Sequence, residues 1–212
     1  MDITQDGFLG GKLLLNQPKV GYRAGIDPVL LAAACPAQSG DHILELGCGV
    51  GVASLCLAVR IPELKLFGVE IISEYAELAR ENASQNNFKF DVEVGNVSSQ
   101  PTPFYNLQFH HVIMNPPYFE AESSSASPEF GRASGRTEQV PLLHWCETAA
   151  KRLRPKGYLT LIQRVERLPD VLAGLKGRLG SISVQPLAPR DERPAHLVCL
   201  LYTSDAADEI VR

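Results

Sequence analysis

The residues best suited to chemistry form one tetrapeptide, Asn115-Pro116-Pro117-Tyr118, directly after an apolar run at 110–114 that predicts a buried strand. The prolines fix the backbone, so the Asn115 side-chain oxygen and the Pro116 carbonyl oxygen become two rigid hydrogen-bond acceptors. Two such acceptors can take both hydrogens of an amino group conjugated to a ring and expose its lone pair. Tyr118 offers a flat face to an extruded base. The tetrapeptide therefore predicts reaction at an amino nitrogen, with a purely structural Pro-Pro turn as the alternative.

A second candidate site is the glycine-rich segment 45–51, which contains Glu-Leu-Gly-Cys-Gly-Val-Gly. Its three glycines, Gly47, Gly49 and Gly51, allow a tight turn and let a ligand approach the backbone. Their spacing is neither that of a dinucleotide-binding loop nor that of a Walker loop. Glu45 precedes the first glycine by two residues. Because its charge repels phosphate, the segment favours a cationic or amine-bearing ligand.

A further carboxylate, Glu70, ends the next strand-like run, Lys65–Glu70. At the end of a strand in an α/β sheet, a carboxylate can accept hydrogen bonds from both hydroxyls of a ribose. A charge at the start of a helix is the alternative for Glu70 taken alone. Together with the glycine-rich segment, it predicts a nucleoside-containing ligand.

Short apolar runs alternate with helical patterns along most of the chain. Strands are predicted at 42–46, 65–70, 90–94, 110–114, 158–163, 181–185 and 196–202, and helices at 26–34, 50–60, 72–85, 140–153 and 168–179. The alternation predicts an α/β fold with a mostly parallel seven-stranded sheet and helices on both faces. The last two strands have no helix between them, so they predict an antiparallel edge hairpin. We expect a domain at 41–202, with 1–40 a flap and short helix of the same domain and 203–212 a tail.

The glycine-rich segment and Glu70, placed after the first two strands, resemble the S-adenosylmethionine site of class I methyltransferases. The resemblance implies a Rossmann-like fold with S-adenosylmethionine as cofactor. Glu45 and the glycines would surround its methionine part, and Glu70 its ribose, with Ile71 beside it. Asn96 follows the third predicted strand, where the family often has Asp against the adenine. The Asn96 amide can still accept a hydrogen bond there.

The tetrapeptide resembles the fourth motif of amino methyltransferases that act on adenine N6, guanine N2 or a glutamine amide. Three further stretches are together similar to the bacterial tRNA1(Val) adenine-37 N6-methyltransferase family. The first is Asn-Gln-Pro-Lys-Val-Gly-Tyr-Arg at 16–23, followed by Ile-Asp-Pro-Val-Leu-Leu at 26–31. The second is 115–119, followed by Arg132-Ala133 and Glu138, and the third is Pro-Lys-Gly at 155–157.

That resemblance implies roles for four more residues. Tyr22 and Arg23 would border the pocket for cofactor and substrate, and the loop residues Arg132 and Arg136 would lie near RNA phosphates. For Tyr22 and Arg23, folding of an N-terminal flap over the sheet is the alternative.

Composition narrows the class of protein and of partner. The chain has 212 residues, 45% of them hydrophobic and 21% charged, which excludes a disordered chain. Five scattered cysteines predict neither a zinc site nor a disulfide framework. The acidic N-terminus and the lack of a long apolar run predict a cytoplasmic protein, without membrane or metal, and we expect a monomer.

Charge is unevenly distributed. Residues 151–193 carry ten Lys and Arg against four Asp and Glu, a net charge of +6, while the rest of the chain has a net charge of −10. The basic segment predicts either a polyanion footprint or a set of solvated helix faces.

The predicted function is S-adenosylmethionine-dependent methylation of adenine N6 in tRNA, with adenine 37 of a valine tRNA as the expected target. Three alternatives remain. One is N5-methylation of a protein glutamine, although about 40 residues before the first strand leave little room for that family's helical domain. Another is N2-methylation of guanine in rRNA. The last is a cofactor-binding module without catalysis, against which the intact tetrapeptide argues.

Overall fold

The structure, a computed structural model, describes residues 1–99, 104, 106–117, 140–190 and 193–204. Two antiparallel strands, β1 (Ile3–Phe8) and β2 (Leu13–Pro18), form an N-terminal hairpin. The main sheet contains β3 (His42–Leu46), β4 (Lys65–Glu70), β5 (Phe90–Val94), β6 (Phe109–Met114), β7 (Leu153–Arg164), β8 (Gly180–Leu187) and β9 (Leu197–Thr203). The helices are α1 (Asp27–Ala34), α2 (Val52–Arg60), α3 (Ser73–Gln85), α4 (Leu142–Arg152) and α5 (Leu168–Leu175).

The order of strands in the main sheet is β5-β4-β3-β6-β7-β9-β8. Strands β3 to β7 pair in parallel, and β9 runs antiparallel to both β7 and β8. The predicted seven-stranded sheet with an antiparallel edge is therefore confirmed. The chain moves outward from β3 in one direction and then returns to β6, so the strand order reverses between them. Ligands of open α/β sheets bind at such a point, outside the carboxyl ends of the strands.

Alternation along each strand divides the core into two layers. Ile43 of β3 packs in a cluster with residues of α1, α2 and α3, whereas Leu44 and Leu46 pack in a second cluster with residues of α4 and α5. Helices thus cover both faces, as predicted. Within the described ranges, no helix combines the length and the apolar character needed to cross a membrane.

The N-terminal hairpin was predicted only as a flap, without its strands. Leu13 and Leu15 are fully buried in the α1–α3 layer, while Leu14 between them is exposed. This period-two pattern is short, and polar Asn16 and Gln17 follow it. Its strand character depends on pairing with β1, which the local pattern does not reveal.

Two element boundaries differ from prediction by more than two residues. Strand β7 begins at Leu153 rather than at 158, because a bulge at the left-handed residue Lys156 (φ 63°) lets the chain resume pairing at Tyr158. Helix α5 ends at Leu175 rather than at 179, and Gly177 adopts a left-handed φ of 71° just beyond it. The sequence also predicts a loop rich in Ser, Ala and Gly at 123–135, which lies outside the described residues.

Candidate active site

The glycine-rich segment folds from the end of β3 over the end of β4. The backbone N–H groups of Gly47 and Cys48 both donate to the carbonyl of Val69, at 2.8 and 3.1 Å. Gly47, Gly49 and Gly51 have φ values of 65°, 53° and 89°, the left-handed region that favours glycine. The predicted tight turn therefore lies at the carboxyl edge of the sheet.

Close packing restricts Gly47 further. A Cβ atom added there would lie 2.5 Å from the Trp145 ring, far inside van der Waals contact. Trp145 belongs to α4 and donates its indole N–H to the carbonyl of Val140 at 3.2 Å. Helix α4 thus forms a wall of the crevice against the first glycine.

Glu45 lies at the carboxyl end of β3 and is buried. Its carboxylate accepts hydrogen bonds from the backbone N–H of Ser54 at 3.0 Å and from the Ser54 hydroxyl at 2.5 Å. Burial raises the pKa of Glu45 to about 8, with the nearby Glu70 carboxylate adding to the effect and the Ser54 hydrogen bonds opposing it. The residue predicted to contact a cofactor thus also anchors the first turn of α2.

Glu70 joins the glycine-rich segment to the end of β4. One carboxylate oxygen accepts from the Gly49 N–H at 2.8 Å, and the other accepts from the Ile72 N–H at 2.9 Å. Burial raises its pKa, while these backbone hydrogen bonds oppose the shift. Since a carboxylate offers about four acceptor positions, Glu70 keeps acceptor capacity for a ligand hydroxyl.

Ile71 and Asn96 lie at the ends of neighbouring strands. The Ile71 side chain is 38% exposed directly after β4. The Gly95 N–H donates to the Glu70 carbonyl at 2.9 Å, which brings the next residue, Asn96, to the same edge. The Asn96 side-chain oxygen accepts from the Ser98 N–H at 2.8 Å, so one of its acceptor positions is occupied by its own turn.

Tyr22 and Arg23 are adjacent in sequence but have different surroundings. The Tyr22 ring lies 4.0 Å from the position of a Cβ atom on Gly49. Although the ring reaches the surface, burial of its hydroxyl, followed by the carboxylates of Asp27 and Glu45, raises the pKa of Tyr22 to about 12. The structure therefore brings Tyr22 to the glycine-rich segment.

Arg23 instead contacts the N-terminal hairpin. Its guanidinium donates to the Asp6 carboxylate and the Thr4 hydroxyl, each at 2.6 Å, and to the Pro18 carbonyl at 2.8 Å. These contacts match the alternative considered for Arg23, in which it folds the flap over the sheet.

Asn115 and Pro116 follow β6, whose last residue Met114 pairs with Leu46 of β3. The tetrapeptide thus begins beside the glycine-rich segment, at the carboxyl ends of β3 and β6. The side-chain amide of Gln163, fully buried on β7, donates to the Pro116 carbonyl at 3.4 Å. Pro117 comes next in the described chain, whereas Tyr118, Arg132 and Arg136 lie outside the described residues.

Sequence reasoning missed Gln163 and Trp145 as contributors to this site, and also Asn82, whose side-chain amide donates to the Val50 carbonyl at 3.0 Å. A polar residue at the end of the apolar run Leu159 to Ile162 was the only signal for Gln163. Among the described residues, no group of three or more His, Cys, Asp or Glu is arranged to hold a metal ion.

Comparison with known proteins identifies the family. The model of the methyltransferase small domain matches residues 14–184, most of the chain. The chain belongs to the methyltransferase small domain family. The predicted methyltransferase resemblance is confirmed at this level, and the cofactor that the family implies is S-adenosylmethionine.

The names of individual relatives are more specific than the name of the family. The tRNA1(Val) (adenine(37)-N6)-methyltransferase of Porphyromonas gingivalis is 35% identical over 166 residues, which cover 74% of this chain and 64% of that protein. The protein of the same name from Musicola paradisiaca is 27% identical, over 99% of this chain and 85% of that protein. The chain spans about two thirds of the length of the Porphyromonas relative.

Solved structures agree on the fold. A predicted O-methyltransferase from Agrobacterium tumefaciens has a TM-score of 0.67 and 25% identity, covering 85% of this chain and 82% of that one. A Thermus thermophilus 16S rRNA N2 G1207 methyltransferase, in complex with AdoMet and guanosine, has a TM-score of 0.68 and 20% identity, covering 96% and 50%.

Proposed function

We propose that this chain carries out S-adenosylmethionine-dependent methylation of adenine N6 in tRNA, with adenine 37 of a valine tRNA as the target. The observation that carries the proposal is the position of Asn115 and Pro116 at the end of β6, beside the glycine-rich segment at the end of β3. The names of the relatives support the choice of adenine and of tRNA.

The residues at the strand ends fit S-adenosylmethionine. Glu45 and Glu70 are buried carboxyl groups, and in their ionised form they suit a cationic ligand. In our proposal Glu70 holds the ribose hydroxyls, Ile71 and Asn96 border the adenine, and Tyr22 covers the glycine-rich segment. The bound cofactor supplies a methyl group on a sulfonium.

In this proposal, Asn115 and Pro116 orient the target amino group. Their two oxygens accept the N–H hydrogens of the target amino group and turn its lone pair toward the methyl group. Because neither oxygen is a strong base, orientation in the crevice supplies much of the rate. Tyr118 completes the site in this proposal by stacking on the extruded base.

We also propose the oligomeric state, the location and the RNA contacts of the chain. The chain acts as a monomer in the cytoplasm, without metal or membrane, and Arg132 and Arg136 contact the RNA. Residues 1–40 form one domain with 41–202, which the hydrogen bonds between Asn16 of β2 and Asn82 of α3 support.

The test uses purified protein, labelled S-adenosylmethionine and tRNA from a strain lacking this modification, followed by mass spectrometry of the nucleosides. We expect N6-methyladenosine with the wild type and at least a hundredfold less with Asn115→Ala. Cofactor affinity should stay within about twofold, because Asn115 faces the substrate. Absence of label in tRNA, with cofactor binding intact, would overturn the assignment.

A second candidate is methylation of guanine N2 in rRNA, which the fold of the Thermus thermophilus enzyme supports. The same digestion distinguishes the two, since rRNA would then yield N2-methylguanosine. Methylation of a glutamine amide would instead leave label in protein.

A further inference from the structure

Asn82 is a fully buried amide on α3, and its side chain connects three parts of the chain. Its oxygen accepts from the Asn16 N–H at 2.7 Å and from the Gln85 side-chain amide at 3.1 Å. Its nitrogen donates to the carbonyls of Asn16 and Val50, both at 3.0 Å. An amide has two donor hydrogens and two acceptor positions, so Asn82 is fully satisfied.

The contact with Val50 has a particular consequence for the glycine-rich segment. Val50 lies one residue before Gly51, the left-handed cap of α2, so its carbonyl is outside the helix, although one more regular turn would pair it with the N–H of Ser54. That N–H instead donates to the Glu45 carboxylate at 3.0 Å. Asn82 supplies a replacement donor at 3.0 Å, and a buried carbonyl needs such a partner.

The contact with Asn16 extends the connection to the N-terminal hairpin. Asn82 bonds both the N–H and the carbonyl of Asn16, much as a neighbouring strand would. Beyond β2 the chain turns at Gly21, whose φ is 111°, and the next residue, Tyr22, places its ring beside Gly49. Asn82 therefore holds the glycine-rich segment in place. It also holds the end of β2, from which the chain continues to Tyr22 over that segment.

We propose that Asn82 is a positioning residue for the cofactor, through which docking of the N-terminal hairpin and binding of S-adenosylmethionine are coupled. This inference rests on the cofactor part of the proposed function. By thermodynamic linkage, the coupling acts in both directions: a docked hairpin favours the cofactor, and bound cofactor stabilises the hairpin.

The first experiment compares Asn82→Ala with Asn86→Ala in the full chain. Asn86 also binds the hairpin, accepting from the Leu14 N–H at 3.1 Å and donating to its carbonyl at 2.7 Å, and it is half-buried. Its side chain contacts Leu14 of β2 and the backbone carbonyl of Asn82 in α3, away from the glycine-rich segment. The pair of variants therefore separates loop positioning from hairpin docking alone.

We expect Asn82→Ala to weaken S-adenosylmethionine binding about tenfold by isothermal titration calorimetry, and Asn86→Ala to change it less than threefold. Asn82→Asp, which keeps the acceptors and loses both donors, should resemble Asn82→Ala. Equal losses in the Ala variants would overturn the proposal, as would wild-type affinity in a folded Asn82→Ala protein.

A second measurement needs no variant and remains decisive if Asn82→Ala does not fold. Saturating S-adenosylmethionine should slow amide hydrogen exchange at Asn16 and Leu14 in the wild type at least threefold. Unchanged exchange there, with cofactor bound, overturns the coupling alone. Failure of the wild type to bind the cofactor overturns the cofactor assignment and the coupling with it.

Discussion

At the scale of single residues, the glycine-rich segment is held by three buried side chains: Glu45, Glu70 and Asn82. Each takes a backbone group that regular secondary structure leaves without a partner, namely the Ser54 N–H, the Gly49 N–H and the Val50 carbonyl. Because buried backbone groups need partners, these contacts fix the shape of the segment. The two carboxylates were predicted as ligand contacts, and the structure adds this second role.

The raised pKa of Glu45 predicts a pH-dependent stability. Its pKa rises from an ordinary 4.5 to about 8 because of burial. The unfolded chain loses this proton first, so the stabilisation is complete below pH 4.5 and disappears as the pH rises to about 8. We expect the Tm of the cofactor-free protein to fall by several degrees between pH 6.5 and 8.5, as measured by calorimetry.

Glu45→Gln is the matched control, since its amide stays neutral at every pH. The difference between wild type and Glu45→Gln removes the contributions of other titrating groups, including Glu70. The Tm of the variant should fall less over this range. Parallel curves for the two proteins would show that Glu45 is already ionised at pH 6.5.

Gln163 has a different role, at the Pro116 carbonyl. Its side-chain amide donates to that carbonyl at 3.4 Å, leaving the carbonyl a second acceptor position for the substrate. In Gln163→Glu, a carboxylate would repel the carbonyl and shift it. We expect kcat to fall about tenfold, while the Kd for S-adenosylmethionine changes less than twofold.

The control for Gln163→Glu is Tyr202→Phe, which removes a buried hydroxyl group on the adjacent strand β9. The Tyr202 hydroxyl has no hydrogen-bond partner among the described residues, so its loss should leave kcat unchanged. If both variants lost kcat equally, general loosening of the sheet would explain the effect. Such a result would contradict a specific contact with Pro116.

At the scale of elements, helix α4 and the glycine-rich segment restrict each other. Gly47→Ala would combine a left-handed φ with a Cβ atom 2.5 Å from Trp145. Gly177→Ala shares the left-handed φ, at 71°, but its Cβ atom would meet nothing within 4 Å. Each variant should lose about 1 kcal/mol for the backbone alone.

We therefore expect Gly47→Ala to lose roughly 1–3 kcal/mol more than Gly177→Ala in urea unfolding, because of overpacking. It should also weaken cofactor binding at least tenfold, which Gly177→Ala should not do. Equal stabilities for the two variants would mean that Trp145 moves aside at little cost.

The elements that were predictable are those whose signals are local. Strands β3 and β4 are short apolar runs, and the glycine-rich segment and the tetrapeptide are contiguous motifs. The hairpin and its anchor were not predictable, because Asn82 and Asn16 lie 66 residues apart and their burial is stable only when they meet. For Gln163, likewise, the partner carbonyl is 47 residues away.

At the scale of the whole molecule, the fold divides the basic segment 151–193 into two groups. Six of its cations lie where α4 and α5 end and β7 begins, at the amino edge of the sheet: Lys151, Arg152, Arg154, Lys156, Lys176 and Arg178. The other four lie at the end of β7 or between β8 and β9, on the crevice side: Arg164, Arg167, Arg190 and Arg193. A tRNA whose base enters the crevice is closer to the second group.

This division predicts that position, rather than total charge, determines RNA binding. Arg190→Ala/Arg193→Ala and Lys151→Ala/Arg154→Ala each remove two positive charges, from the crevice side and from the opposite edge. Since each lost phosphate contact lowers the salt dependence, the first variant should reduce the slope of log K against log salt by about 1–2. We expect it to weaken tRNA binding about tenfold in fluorescence anisotropy, and the second variant less than twofold. Equal losses would indicate attraction by net charge alone, and a larger loss from the second variant would place the RNA on the opposite edge.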